Sequence, residues 1–216
     1  MASILPSQYC NGDAYGHRYQ SRHARLRTKE IERSEGSRLA SGRYCTSTVS
    51  RRIVRGVVCQ FGLMFVPDKD RAFREMRRVL VNGGVLAFNV WDRMNANPWG
   101  IIAHETVGEF FPENPPQFFK APCGFSDIDV LRGLLTASGF DTVTIQAVRK
   151  ECYSQTAKSL AIGLIEGAPI LAEIQERGGS SRPIVDAVTT ALAKTGGENP
   201  YRSTMQAIVV MARAKE

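Results

Sequence analysis

The sequence has few cysteines, few histidines and no long apolar run, and each of these absences argues against a class of protein. Its five cysteines are scattered without a C-x-x-C pair, which argues against a disulfide framework or a zinc site. Its three histidines have no paired spacing for a metal. No apolar stretch approaches the ~18 residues that a membrane helix needs, and the start of the chain lacks a signal-peptide pattern. We therefore expect a cytoplasmic protein with no metal site and no membrane span.

The composition indicates a globular protein whose positive charge is concentrated in the first quarter of the chain. The 216 residues are 43% hydrophobic and 23% charged, with a formal net charge of +7. Residues 1–55 hold eleven Lys or Arg and four Asp or Glu, whereas residues 56–216 hold seventeen of each. A nucleic-acid-binding arm and an unstructured extension both fit this asymmetry. No aromatic platform interleaves with the arginines, so we favour the extension and predict no specific nucleic-acid partner.

The most informative stretch of the chain is a strand–helix–strand pattern that begins at Val57. An apolar run over 57–61 is followed by a helical pattern over 68–80 and by a second apolar run over 85–91. Neither run alternates strictly between apolar and polar residues, which indicates strands covered on both faces, as in a parallel sheet. Asp68 is the predicted N-cap of the helix, and Gly83 or Gly84 is predicted to end it.

The remainder of the chain predicts further helices and two more strands around a loop rich in aromatic residues and proline. Such a loop after the carboxyl end of a strand is where an open α/β sheet binds its substrate, although the rings could equally cover the sheet. The predicted elements are a helix over about 98–111, a helix capped by Ser126 and ending near Ser138, a strand over 140–148, two or three helices over 156–195, and a closing strand over 205–212.

Two phrases in this pattern carry a family resemblance. The run from Val58 to Asp68 and the run from Glu75 to Gly84 resemble the fourth-to-fifth-strand segment of class I S-adenosylmethionine-dependent methyltransferases. The nearest likeness is to the ubiquinone and menaquinone biosynthesis branch, in which the helix ends R-V-L-K-P-G-G, and Asn82 replaces that proline here. The resemblance covers about residues 57–216. It implies an α/β fold with an incomplete Rossmann-like sheet of strands equivalent to 4-5-7-6, flanking helices, and an irregular basic segment over 1–56.

The chain departs from that family before Val57. The family holds its cofactor with a glycine-rich loop after the first strand, an acidic residue at the end of the second and an Asp near the third, and none of these is found there. A one-base shift of codons compatible with residues 16–20 gives G-I-D-I-N, and residues 42–55 permit G-D-T-A-P-L-P-F-P-D-A-S-F-D. Both phrases are typical of the missing strands. We therefore hypothesise that the chain up to about Arg55 is a frame-shifted translation.

The resemblance also implies site residues, with ordinary sheet packing as the alternative for each. No catalytic base is assigned, and His104 is a candidate by residue type alone. Contacts with the cofactor are expected from Gln60, Phe61, Gly62 and Leu63, and contacts with the substrate from Trp91 and Phe125.

The predicted function is methyl transfer from S-adenosylmethionine to a small-molecule acceptor, by C- or O-methylation. We expect this activity to be impaired, because the glycine-rich cofactor loop is absent. The alternative is a non-catalytic methyltransferase remnant with a disordered basic arm. Loss of the first three strands would leave residues 57–61 as a sheet edge with unpaired backbone groups, so we also expect self-association through that edge.

Overall fold

The computed structural model describes residues 2–3 and 53–216 of the chain. The predicted irregular segment, the frame-shift hypothesis and the missing cofactor loop therefore fall almost entirely outside the described residues. Within the described ranges, no helix has the length and apolar character needed to cross a membrane.

A five-stranded sheet in the order β1-β2-β3-β5-β4 organises the chain. The last four positions of this order correspond to the predicted 4-5-7-6 arrangement, so that prediction is confirmed. Strand β2 is parallel to both of its neighbours, β1 and β3. The strands are β1 Ala2–Ser3, β2 Val54–Gln60, β3 Leu80–Trp91, β4 Phe140–Ser154 and β5 Tyr201–Ala214.

The short strand β1 corrects the prediction that β2 lies at the edge of the sheet. Ala2 pairs with Val57 and Ser3 with Val58, so the main chain of these two β2 residues has a parallel neighbour. A strand of two residues has no sequence periodicity by which it could be recognised. The prediction of an edge is therefore wrong at Val57 and Val58.

The described residues form two compact units. The first comprises residues 2–3 and 53–91, Ser126–Ala147 and Ile208–Glu216, and the second comprises Asp92–Phe125 and Val148–Ala207. Strands β4 and β5 contribute residues to both units. The helices are α1 Lys69–Val79, α2 Pro98–Glu109, α3 Lys120–Cys123, α4 Ile128–Ala137, α5 Ala157–Ile165, α6 Ile170–Glu176 and α7 Ser181–Gly196, with short 3-10 turns at Leu63–Phe65 and Met94–Ala96.

Helix α1 begins as predicted but ends differently. The Asp68 side chain accepts a hydrogen bond from the Arg71 amide at 2.8 Å, which confirms it as the N-cap. The helix ends at Val79, and Leu80 is already extended, so the prediction that a glycine ends it is wrong. Gly83 has a φ of +69° inside β3, where the pairing with β2 shifts register between Val54 and Gly56. The positive φ of Gly83 therefore allows the irregularity in the strand and does not cap the helix.

Arg77 connects α1 to two distant segments of the first unit. Its Nε donates to the Gly139 carbonyl at 3.1 Å, and one Nη2 bond reaches the Lys215 carbonyl at 2.8 Å. Further bonds go to the Asn82 side chain at 3.0 Å and to the Leu80 carbonyl at 3.4 Å. A single guanidinium thus links the helix, the start of β4 and the chain after β5.

The second unit has its own apolar core, in which α2 and α5 each pack against α7. The helical positions that point inward repeat at three- and four-residue steps, which is why these segments fold as amphipathic helices. The buried residues of this core are Ala103, Val107, Phe119, Ala157, Ala161, Ile165, Ile170, Ile174, Ile184, Val185, Val188, Leu192 and Tyr201.

Two further boundaries differ from the sequence prediction. The N-cap of α4 is Asp127 rather than Ser126, because the Asp127 carboxylate accepts the amide hydrogens of Asp129 and Val130 at 2.9 and 3.0 Å. Gly139 closes that helix region with a φ of +88°, as predicted. Strand β4 extends six residues beyond the predicted end at Val148, to Ser154.

The added residues at the end of β4 are polar. They pair with the start of β5, which also begins earlier than the sequence predicts. Arg202 forms an ion pair with Glu151, and its guanidinium lies 5.2 Å from the centre of the Tyr153 ring. Arg149 donates to the Thr204 hydroxyl at 3.1 Å. These cross-strand contacts stabilise an extended conformation that the polar sequence does not itself predict.

Candidate cofactor site at the end of the second strand

The carboxyl end of β2 contains an unusual backbone turn. The strand ends at Gln60, and Phe61 then adopts a φ of +48°, which is rare for a bulky side chain. Two bonds hold it there, since the Phe61 amide donates to the Asn89 carbonyl at 3.0 Å and to Asn89 Oδ1 at 3.1 Å. Backbone strain of this kind is concentrated at ligand-binding and active sites.

The turn brings together two aromatic residues that the sequence had assigned to different ligands. The rings of Phe61 and Trp91 are stacked, with centroids 4.3 Å apart and planes inclined by 28°. Phe61 follows β2 and Trp91 ends β3, so the pair lies at the carboxyl ends of two adjacent parallel strands. Both side chains are half-buried, which leaves part of this aromatic surface open to a ligand.

The other predicted cofactor residues occupy different environments. The Gln60 side chain is exposed, and Gly62 is buried at the start of the 3-10 turn. Leu63 is fully buried, so its side chain contacts only protein atoms. Phe125 is 7% exposed and belongs to the second unit, whereas the Phe61–Trp91 pair belongs to the first.

Asn89 is the member of this site that the sequence analysis missed. Its backbone carbonyl and its side chain both bind the Phe61 amide, and it pairs with Gln60 in the sheet register. The available signal was a polar amide within the apolar run over 85–91. An isolated polar residue in a buried strand requires a hydrogen-bond partner, and here that partner is the strained turn.

These residues fit the methionine end of S-adenosylmethionine by their chemistry. The sulfonium is a cation, and the exposed part of the Phe61–Trp91 aromatic surface can attract a cation. The exposed amide of Gln60 provides both a donor and an acceptor for the amino and carboxylate groups of a bound amino acid.

The second unit contains a separate polar network centred on Asn97, which is completely buried. The Asn97 amide donates to the carbonyls of Asp92, Arg93 and Gln206 at 3.1–3.3 Å, and its Oδ1 accepts the Gln206 amide at 2.9 Å. The Asp92 carboxylate accepts Gln206 Nε2 at 2.6 Å and the Arg93 amide at 2.7 Å. The chain before α2 is thereby fixed to β5.

A cavity of about 290 Å³ lies beside this network. It belongs entirely to the second unit, and its lining is polar and basic. The lining residues are Arg93, Asn95, Ala96, Pro98, Arg149, Thr204 and Gln206.

The titratable side chains of the second unit do not form a metal site or an activated thiol. Burial, with the Asp92 charge as a smaller cause, raises the pKa of the Cys123 thiol to about 11. Burial, followed by the charge of Lys120, lowers the pKa of His104, whose Nδ1 is buried without a hydrogen-bond partner among the described residues. Over residues 2–3 and 53–216, no group of three or more His, Cys, Asp or Glu is placed to hold a metal.

Comparison with known sequences gives one domain match. The family described as "Methyltransferase domain" matches residues 22–88. The match begins well before Val57 and ends within β3. The resemblance therefore extends upstream of residues 57–216, the range given by the sequence analysis. It covers 67 of the 216 residues and indicates a methyltransferase-type sequence over that range.

Solved structures share the fold at low sequence identity. A Bacillus halodurans C-125 protein assigned as a methyltransferase is 11% identical, with a TM-score of 0.55 over 100% of this chain and 82% of its own. The YcgJ protein of Bacillus subtilis is 14% identical, with a TM-score of 0.51 over 94% of this chain and 81% of its own. These similarities show that the chain shares the α/β fold of these two proteins.

Proposed function

We propose that this protein transfers a methyl group from S-adenosylmethionine to a small-molecule acceptor, by C- or O-methylation. The proposal depends on the strained turn at Phe61, whose ring stacks on that of Trp91 at the carboxyl ends of β2 and β3. Ligands of open α/β sheets bind at that end of parallel strands. The domain match over residues 22–88 supports the same chemistry.

The residues of the turn act mainly by positioning. When bound, S-adenosylmethionine would supply an electrophilic methyl group, and its sulfur would leave as a neutral thioether when the acceptor takes that methyl. The Phe61–Trp91 pair orients the cation and excludes water from it, and Gln60 binds the amino-acid end. Asn89 keeps Phe61 in place through the two bonds to its amide.

Three more specific points of the sequence interpretation remain proposals. They are membership of the ubiquinone and menaquinone biosynthesis branch, a cytoplasmic location, and self-association through the part of the β2 edge beyond Val58. Impaired activity also remains a prediction, because it depends on a loop expected before Val57, in residues outside the described ranges.

Binding of S-adenosylmethionine to the full chain, measured by isothermal titration calorimetry, tests the proposal. We expect saturable binding in the micromolar range. Phe61→Ala should weaken it about tenfold, because it removes the ring that faces the cation. Phe110→Ala is the matched control, since Phe110 is an exposed ring of the second unit and should leave the affinity unchanged.

Two results would overturn the proposal. One is the absence of saturable heat with the wild-type chain, which would favour the non-catalytic remnant. The other is equal affinity for S-adenosylmethionine in the Phe61→Ala variant and in the wild type. That result would show that the turn at the end of β2 does not contribute to cofactor binding.

A further inference from the structure

We propose that the cavity in the second unit is a binding site for the oxyanion group, carboxylate or phosphate, of a small molecule. We name it the arginine groove, after Arg93 and Arg149 in its lining. This inference goes beyond the proposed methyl transfer and does not depend on it.

The charge of the groove favours an anion. Neither Arg93 nor Arg149 forms an ion pair with a carboxylate in the part of the chain that the structure describes, and both side chains are exposed. Glu151, a neighbour of Arg149 on β4, is already paired with Arg202. Two guanidinium groups at one concave surface provide planar sets of donors that match carboxylate and phosphate oxygens.

The Asp92 carboxylate of the adjacent network opposes this charge only in part, because the groove lining holds two guanidinium groups and no carboxylate. Asp92 is 7% exposed, and its two oxygens accept hydrogen bonds from the Arg93 amide and from Gln206 Nε2. It does not line the cavity. Its structural role is to orient the Gln206 side chain at the wall of the groove.

The groove is preorganised on more than one element. Thr204 accepts a bond from Arg149 Nη2 at 3.1 Å, which orients that guanidinium from the adjacent strand. Arg93 is placed by its own amide bond to Asp92 and by the Asn97 bond to its carbonyl at 3.3 Å. Preorganised donors lose less conformational freedom on binding, so they favour affinity for a small ion.

The start of α2 adds a second source of positive potential. This 12-residue helix begins at Pro98, which lines the groove. The amino end of a helix carries a partial positive charge from its aligned peptide dipoles. The helix therefore reinforces the preference for an anion that the two arginines establish.

The size of the groove limits the ligand class. A cavity of about 290 Å³ lies near the lower end of the range for small-molecule sites, and its lining carries mostly polar groups. It suits a small organic acid or a phosphorylated metabolite. Asn95, Thr204 and Gln206 offer neutral donors and acceptors beside the charged pair.

The test is an NMR titration of the ¹⁵N-labelled full chain, without S-adenosylmethionine, with inorganic phosphate in one arm and succinate in the other. Ionic strength is held constant with sodium chloride, because added salt screens such contacts. We expect saturable shifts at the amides of Arg93, Asn95 and Arg149 and at the arginine side-chain signals. Saturation by either anion supports the groove, and the tighter of the two identifies the ligand group.

Substitutions then assign the binding to the two arginines. Arg93→Gln and Arg149→Gln should each raise the dissociation constant about tenfold, and the double substitution should abolish saturation. Thr204→Val should weaken anion binding by less, because it removes only the hydrogen bond that orients the Arg149 guanidinium. Arg132→Gln is the matched control, because Arg132 is exposed on α4 in the first unit and is not a lining residue of the groove.

The outcomes separate this inference from the proposed function. No saturable shift with either anion, or unchanged affinity in the double variant with its spectrum otherwise native, overturns the arginine groove. Anion binding that depends on both arginines, in a chain that fails to bind S-adenosylmethionine, supports the groove and overturns the methyltransferase proposal alone.

Discussion

Replacing Asn97 with leucine is expected to destabilise the protein by about 4 kcal/mol, the largest effect that we predict for a single side chain. The fully buried side chain shares its two amide hydrogens among three backbone carbonyls, and its Oδ1 accepts the Gln206 amide hydrogen. Each such bond contributes about 1 kcal/mol net, and buried backbone groups left without partners add to the loss. Leucine has the same number of side-chain heavy atoms but bulkier methyl groups, so overpacking at this buried position adds to the loss of hydrogen bonding.

Urea denaturation followed by circular dichroism measures this effect. Asn95→Leu is the matched control, because Asn95 lies two residues earlier and is exposed, and it should change stability by less than about 1 kcal/mol. Equal midpoints for Asn97→Leu and Asn95→Leu would show that the network does not stabilise the second unit.

Arg77→Leu is expected to cost about 3 kcal/mol, by a different route. The guanidinium donates to the Gly139, Lys215 and Leu80 carbonyls and to the Asn82 side chain, so its removal releases contacts between segments far apart in sequence. Hydrogen bonds from a charged donor are worth more than neutral ones, although the partial exposure of this group reduces the gain.

Arg74→Leu on the same helix is the control for Arg77→Leu. Within residues 2–3 and 53–216, Arg74 makes only an exposed ion pair with Asp70 at 3.7 Å, which is worth at most about 1 kcal/mol. Thermal unfolding of both variants should show a clearly larger loss for Arg77→Leu. A loss no greater than that of Arg74→Leu would mean that the four bonds of Arg77 contribute little.

Features set by local sequence were the ones that could be predicted. The Asp68 cap and the closing Gly139 depend on nearby residues, and both are confirmed. The order of β2, β3, β5 and β4 followed from the family resemblance of two phrases around α1. At α4, Ser126 and Asp127 are both suitable caps, and only the geometry of the turn selects Asp127.

Features set by distant partners could not be predicted. The pairing of Ala2 with Val57 involves too few residues to leave a pattern in the sequence. The conformation of Phe61 depends on Asn89, 28 residues away, and the stacking partner Trp91 lies on the next strand. The arginine groove combines the segment before α2 with β4 and β5, so no contiguous motif marks it.

Amide shift mapping with S-adenosylhomocysteine, the demethylated product of the cofactor, tests the central claim most directly. In the ¹⁵N-labelled full chain, we expect the largest saturable shifts at Gln60, Phe61, Gly62 and Asn89 and at the indole of Trp91. These positions surround the strained turn that is proposed to hold the methionine end. Saturable shifts elsewhere that leave these signals unmoved, or no shifts at all, would contradict the account.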